Sequence, residues 1–139
     1  MKLFVVDASV AVKWFVLEEH SDVSELLLDE NFDLAVPRLF FSEFGNILWK
    51  KFTRHELSHE DAVDSARGVR SAMLIPVPDE LLLNAALALA CELKHPVYDC
   101  LYLALTDSLE TAVVTADQKF ANKVADPARV VFVADFLKA

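Results

Sequence analysis

The sequence predicts an α/β fold, a parallel sheet covered on both faces by helices. Three observations predict it. Short apolar, β-branched runs alternate along the chain with longer helical patterns. Runs such as KLFVV have no polar side, as a strand buried between two layers requires. Finally, 139 residues that are 55% hydrophobic make one domain, residues 1–139, with a substantial core.

The elements follow in order. KLFVV is the first strand. DASVAVKWFV is a helix with Asp7 and Ser9 at its entrance, and SDVSELLLDE is a second, short helix with Ser21 as its cap. LAVP is a strand closed by Pro37. RLFFSEFGNILWKKFTR is a long helix. SHEDAVDSARGVRSA is another, where Ser58 and Asp61 form a capping-box-like pair. LIPV is a strand that Pro76 assigns to a sheet edge. DELLLNAALALACELK is a helix stopped by Pro96, and VYDCLYLALTDSL is the next. AVVT, DQKFANKVA and RVVFV complete the chain as strand, helix and strand. In sheets of this kind, sites form beyond the carboxyl ends of strands, near a topological switch point.

Composition narrows the function. With two glycines, the sequence argues against a Gly-rich phosphate cradle. Asp7 ends the first apolar run after four residues, so the start is no signal peptide. LLLNAALALAC is too short to span a bilayer. Cys91 and Cys100 read as buried thiols of a reduced, cytoplasmic protein. His20, His55, His59 and His95 lie in polar or terminal contexts and read as surface residues; no zinc motif is present. The net charge of −9 argues against broad nucleic-acid binding but leaves room for a nucleic-acid substrate with metal ions and local cations. It also suits a basic protein partner.

Four acids stand in strongly apolar segments: Asp7 in FVVDASV, Glu43 in PRLFFSEFGNIL, Asp99 in HPVYDCLYLAL and Asp117 in AVVTADQKF. Each alone has a local explanation. Asp7 and Asp117 can cap helices, Asp99 suits the first turn of one, and Glu43 can belong to a solvated face. Projected at 100° per residue, residues 39–54 place Glu43, Asn46, Lys50 and Arg54 on one narrow polar stripe amid Phe, Ile, Leu and Trp. That stripe can line a cleft with Asn46 orienting Glu43, and the wide apolar arc can feed a dimer interface. As a set, the acids need a shared partner, because gathered carboxylates repel one another unless a cation offsets them. Their hard oxygens select Mg²⁺ or Mn²⁺. Lys13, Lys50 and Lys119 are possible RNA backbone contacts or ordinary surface lysines.

At VVDASV, at Ser42, Glu43 and Asn46 after Pro37, at YDCLYLALT and at VVTADQKF, the sequence resembles PIN domains, and within them the VapC-type toxins of toxin–antitoxin modules. The resemblance covers nearly the whole chain. It implies a three-layer α/β/α sandwich with a five-stranded parallel sheet. It implies an endoribonuclease dependent on Mg²⁺ or Mn²⁺, with Asp7, Glu43, Asp99 and Asp117 as ligands and Ser9 and Thr115 in support. Hydrolysis by a metal-activated water would leave a 5′-phosphate and a 3′-hydroxyl. It further implies a homodimer and a small antitoxin with a basic segment.

Other readings compete. A phosphatase-like Mg²⁺ hydrolase also starts with a strand and an Asp, but here Ser9 stands where such enzymes carry a second acid. A receiver domain could use Asp79 after LIPVP, yet Lys138 comes too late to be its lysine. A non-catalytic PIN-like module that binds RNA or a partner predicts lost acids, and all four are present.

Overall fold

Parallel pairing around the first strand organises the molecule. In a computed structural model that describes residues 2–138, β1 (Lys2–Val6) pairs with β2 (Phe32–Pro37) on one side and β4 (Val113–Thr115) on the other. β3 (Ile75–Val77) lies outside β2, and β5 (Val130–Phe132) outside β4, giving the order β3-β2-β1-β4-β5 with every pairing parallel. The five runs read as strands are thus the five strands, and β3 takes the edge where Pro76 is tolerated. The order doubles back between β1 and β4, so the switch point lies between them.

Among the described residues, seven α-helices pack on this sheet in an α/β/α arrangement: α1 (Ala8–Ala11), α2 (Ser21–Glu25), α3 (Leu39–Thr53), α4 (His59–Ser71), α5 (Leu83–Leu93), α6 (Val97–Ser108) and α7 (Gln118–Val124). Helix α6 is the most deeply set. It lies on β1, β2 and β4 with α5 beside it, and every residue from Cys100 to Thr106 is buried. A helix apolar all round must be enclosed in this way. The core joins its Leu103 and Leu105 to Val5, Val6, Val36 and Val114. In α4, Gly68 leaves space for Phe15, since a Cβ there would stand 2.4 Å from its ring. No helix of the described residues is long and apolar enough to cross a membrane.

Two local expectations change. Ser21 does not cap α2: His20 holds that position in a left-handed conformation (φ 66°). The Ser21 hydroxyl reaches backwards instead, accepting the Glu18 N–H and donating to the Val16 carbonyl. Cys91 is exposed, and only Cys100 is a buried thiol. Beyond β5 the chain continues as a 3₁₀ segment, Val133–Lys138, which brings the Phe136 ring edge-on to Phe4 and Phe32 at 5.4 and 5.9 Å. Ser58 does cap α4, accepting the Asp61 N–H at 3.0 Å.

A chain poor in glycine must end helices on other residues. Lys94 after α5 (φ 54°) and Ala125 after α7 (φ 53°) both adopt the left-handed conformation that glycine usually supplies. A Cβ in that region costs energy, partly offset in glycine variants by the greater freedom of the unfolded chain. Ala125 is exposed, so little else would be lost by its replacement. Ala125→Gly is expected to stabilise the protein by about 0.5–1 kcal/mol in urea denaturation; an unchanged or lowered midpoint would refute this account of the α7 terminus.

Candidate active site

The carboxyl ends of β1 and β4 are tied together through the Asp7 side chain. Asp7 leaves β1 with extended backbone at the N-cap position of α1. Its Oδ2 accepts hydrogen bonds from Thr115 Oγ1 at 2.7 Å and Ser9 Oγ at 3.0 Å. Ser9 in turn accepts the Ala116 N–H, and Thr115 accepts the Asp117 N–H, both at 3.1 Å. The two loops therefore share one net of hydroxyls. Asp7 keeps some exposure, yet its carboxylate is set deep enough that burial raises its pKa. The two hydroxyls pull the pKa back, and the Asp99 charge adds to the rise.

Glu43 enters from α3. Tyr102 Oη donates to its Oε1 at 2.6 Å across the two helices. Burial pushes the Glu43 carboxyl up to about 7; the Tyr102 hydroxyl opposes this, and the charges of Asp7, Asp99 and Asp79 reinforce it. Tyr102 is itself held well above the ordinary phenol range, by burial first and then by the Asp7 and Glu43 charges, so it acts as a donor. Glu18 makes the contrast. Burial raises that carboxyl too, but hydrogen bonds from Lys51 and Lys13, at 2.5 and 3.0 Å, outweigh it and hold the pKa below its usual value. Among the described residues, no lysine or arginine forms an ion pair with Asp7, Glu43, Asp99 or Asp117.

Asp99 stands in the first turn of α6, and its Oδ2 lies 2.6 Å from His95 Nε2. Asp117 caps α7, accepting the Phe120 N–H at Oδ1 at 3.2 Å, as its position after AVVT allowed. Asp7 feels the Asp99 charge and Glu43 feels those of Asp7 and Asp99, while Asp117 joins through Thr115. In each of the first three, one oxygen is fixed by a protein donor: Asp7 Oδ2, Glu43 Oε1 and Asp99 Oδ2. An oxygen-only donor set with mutual repulsion fits a hard divalent cation. Among the described residues, however, no three His, Cys, Asp or Glu side chains stand close enough to enclose an ion jointly.

Several residues differ from expectation. Asn46 is exposed and its side chain makes no hydrogen bond among the described residues; Tyr102, not Asn46, orients Glu43. The polar stripe therefore divides, with Glu43 turned inward and Lys50 and Arg54 exposed. Lys119 is also exposed. Lys13 is buried against Glu18, because an ammonium removed from water needs a counter-charge, and this withdraws it from the surface. His95 is only 16% exposed at its side chain and stacks on Phe120, so it is no loose surface histidine. Asp79 accepts the Leu39 N–H at the start of α3, a structural use unlike a receiver's phosphoacceptor. Sequence reasoning missed Tyr102 and His95. Their spacing of three and four residues from Asp99 carried the signal.

The raised Glu43 pKa has a defined sign. Between the ordinary value of 4.5 and about 7, folded Glu43 holds a proton that the unfolded chain has lost. Stability from this group is therefore complete at low pH and is lost as pH rises through that window. Thermal melts of metal-free protein are expected to show Tm falling across it, with Glu43→Gln flattening the fall. Tyr102→Phe removes the donor that lowers this pKa, so the fall should extend to higher pH, with a stability loss of about 0.5–1.5 kcal/mol. Parallel profiles for wild type and Glu43→Gln would refute the assignment.

The comparisons with known proteins agree with this architecture. The PIN-domain profile matches residues 4–125. The chain is 32% identical over 128 residues to Ribonuclease VapC3 of Pyrobaculum aerophilum, covering 88% of this chain and 95% of that protein. The crystal structure of PAE2754 from Pyrobaculum aerophilum superposes with a TM-score of 0.70 at 24% identity, over 93% of this chain and 83% of that one. A toxin–antitoxin complex from Klebsiella pneumoniae gives 0.65 at 15% identity, over 96% and 98%. The match runs from β1 into the residue after α7, and so spans all four acids and the hydroxyls that tie them: this chain belongs to the PIN-domain family.

Proposed function

We propose that this protein is an endoribonuclease dependent on Mg²⁺ or Mn²⁺ that acts as the toxin of a toxin–antitoxin pair. The observation that carries the reading is the hydroxyl-held Asp7 at the switch point, with the Asp99 and Glu43 charges acting on the same space. Similarity to a ribonuclease of the VapC group over most of both chains supports the substrate class. Asp7, Glu43, Asp99 and Asp117 would hold the cation, with Ser9 and Thr115 in support. When bound, the ion supplies Lewis acidity that lowers the pKa of water and offsets charge on the phosphate.

The chain's own residues prepare that chemistry. Thr115 and Ser9 fix one oxygen of Asp7, and Tyr102 fixes one oxygen of Glu43, which would leave the second oxygen of each to hold the cation. A cation would need these carboxylates ionised, so its binding would compete with the protons that burial favours on Asp7 and Glu43. Lys50 and Lys119, both exposed, would contact the RNA backbone; Lys13, bound to Glu18, would instead hold the scaffold. The products would be a 5′-phosphate and a 3′-hydroxyl. The net charge of −9 suits an antitoxin with a basic segment, and antitoxin complexes among the fold's relatives support such a partner. The exposed Leu83 and Leu87 of α5, with Trp49 and Phe52 of α3, offer apolar surface for a homodimer. The setting would be the cytoplasm, where the free Cys91 and Cys100 stay reduced.

Asp7→Asn and Asp99→Asn are expected to remove RNA cleavage, by about two orders of magnitude or more, with unchanged circular dichroism. The same variants should relieve growth arrest when the protein is expressed without a partner. Chelation should silence the wild type, and added Mg²⁺ or Mn²⁺ should restore it. Wild-type cleavage by either variant, or cleavage that survives EDTA, would overturn the reading.

A further inference from the structure

His95 is placed with more care than a surface histidine needs. Its backbone is fenced between left-handed Lys94 and Pro96. Its N–H is bound to the Ala90 carbonyl, and its own carbonyl accepts the Cys100 thiol. The ring lies nearly flat on Phe120, with centroids 5.4 Å apart and an interplanar angle of 27°. Its Nε2 reaches Asp99 Oδ2 at 2.6 Å. Phe120 is buried, and its own N–H is held by Asp117. One ring thus spans the start of α6 and the start of α7, touching one acid directly and the helix capped by another.

We infer that His95 is a positioning residue: stacked on Phe120, it holds Asp99 by Nε2–H so that the carboxylate faces the shared acid cluster in a fixed orientation. Two properties are needed at once, a flat apolar face and a donor at the ring edge. Phenylalanine has the first and glutamine the second, whereas histidine has both. An ionised carboxylate only accepts hydrogen bonds, so the nitrogen facing it is the donor. With one oxygen held, Asp99 loses less rotational freedom when a cation binds the other, and affinity rises accordingly. The inference rests on the proposed function, in which Asp99 is a cation ligand.

The test is Mn²⁺ binding to purified, RNA-free protein, followed by electron paramagnetic resonance, with melting temperature recorded in parallel. His95→Phe keeps the stack and loses the donor; His95→Gln keeps an N–H donor. His95→Phe is expected to weaken Mn²⁺ binding roughly ten-fold, and His95→Gln to regain most of that loss. Asp99→Asn serves as the reference. Weak binding in Asp99→Asn with wild-type affinity in His95→Phe would overturn the role of His95 alone. Equal loss of affinity in both His95 variants, tracking a lowered melting temperature, would also overturn it, since packing would then account for the effect. A wild type that binds no Mn²⁺, or an Asp99→Asn protein that binds as tightly as the wild type, would overturn the ligand assignment as well.

Discussion

A carboxylate set into the join between two neighbouring strands is the constraint on which the rest of the molecule depends. Asp7 can be accommodated there only if hydroxyl donors meet it, and they come from both sides of the join: Ser9 from its own loop and Thr115 from the end of β4. That demand fixes β4 beside β1. The chain must therefore leave β1, build β2 and β3 on one side, and return across the sheet before β4 can form. Helix α6 makes the return. Because it crosses the middle of the sheet, it is buried almost throughout, and the same crossing carries Asp99 and Tyr102 to the carboxyl end of β1.

The electrostatics follow from which charges the fold lets in. Glu18 and Glu43 are both partly buried glutamates. The first is met by two lysines and is held ionised; the second is met by a phenol and other acids and is pushed toward its protonated form. Burial acts in the same direction on both, so neighbours decide the outcome. The chain has cations available, since Lys13 and Lys51 converge on a single carboxylate, Glu18, eleven residues along from Asp7. Their placement stabilises the scaffold around α1 and leaves the acids at the switch point without that relief.

Much of this was legible in the sequence, for identifiable reasons. Apolar runs such as KLFVV and AVVT have no polar face, which only a covered parallel sheet can use, so all five strands were found. Asp7, Asp99 and Asp117 announced themselves as acids at strand and helix ends. The errors arose where a side chain's direction mattered more than its position. Ser21 sits at a helix start but turns its hydroxyl backwards. Lys13, read as a surface lysine or an RNA contact, folds inward onto Glu18. Asn46 shares a stripe with Glu43, but rotation of α3 buries one and exposes the other. Tyr102 was hidden as one aromatic among many in an apolar helix, because its hydroxyl's partner lies 59 residues away.

The same long reach has a consequence in time. The Thr115 hydroxyl that steadies Asp7 is 108 residues further along the chain, and Asp99 is nearly as far. Contacts of such separation form late, after local helices and hairpin-distance pairings. During synthesis Asp7 emerges first, and Asp99 and Thr115, which complete its surroundings, follow it 92 and 108 residues later. A nascent chain therefore carries isolated carboxylates rather than a gathered cluster, and the order of translation itself delays any activity that needs them together.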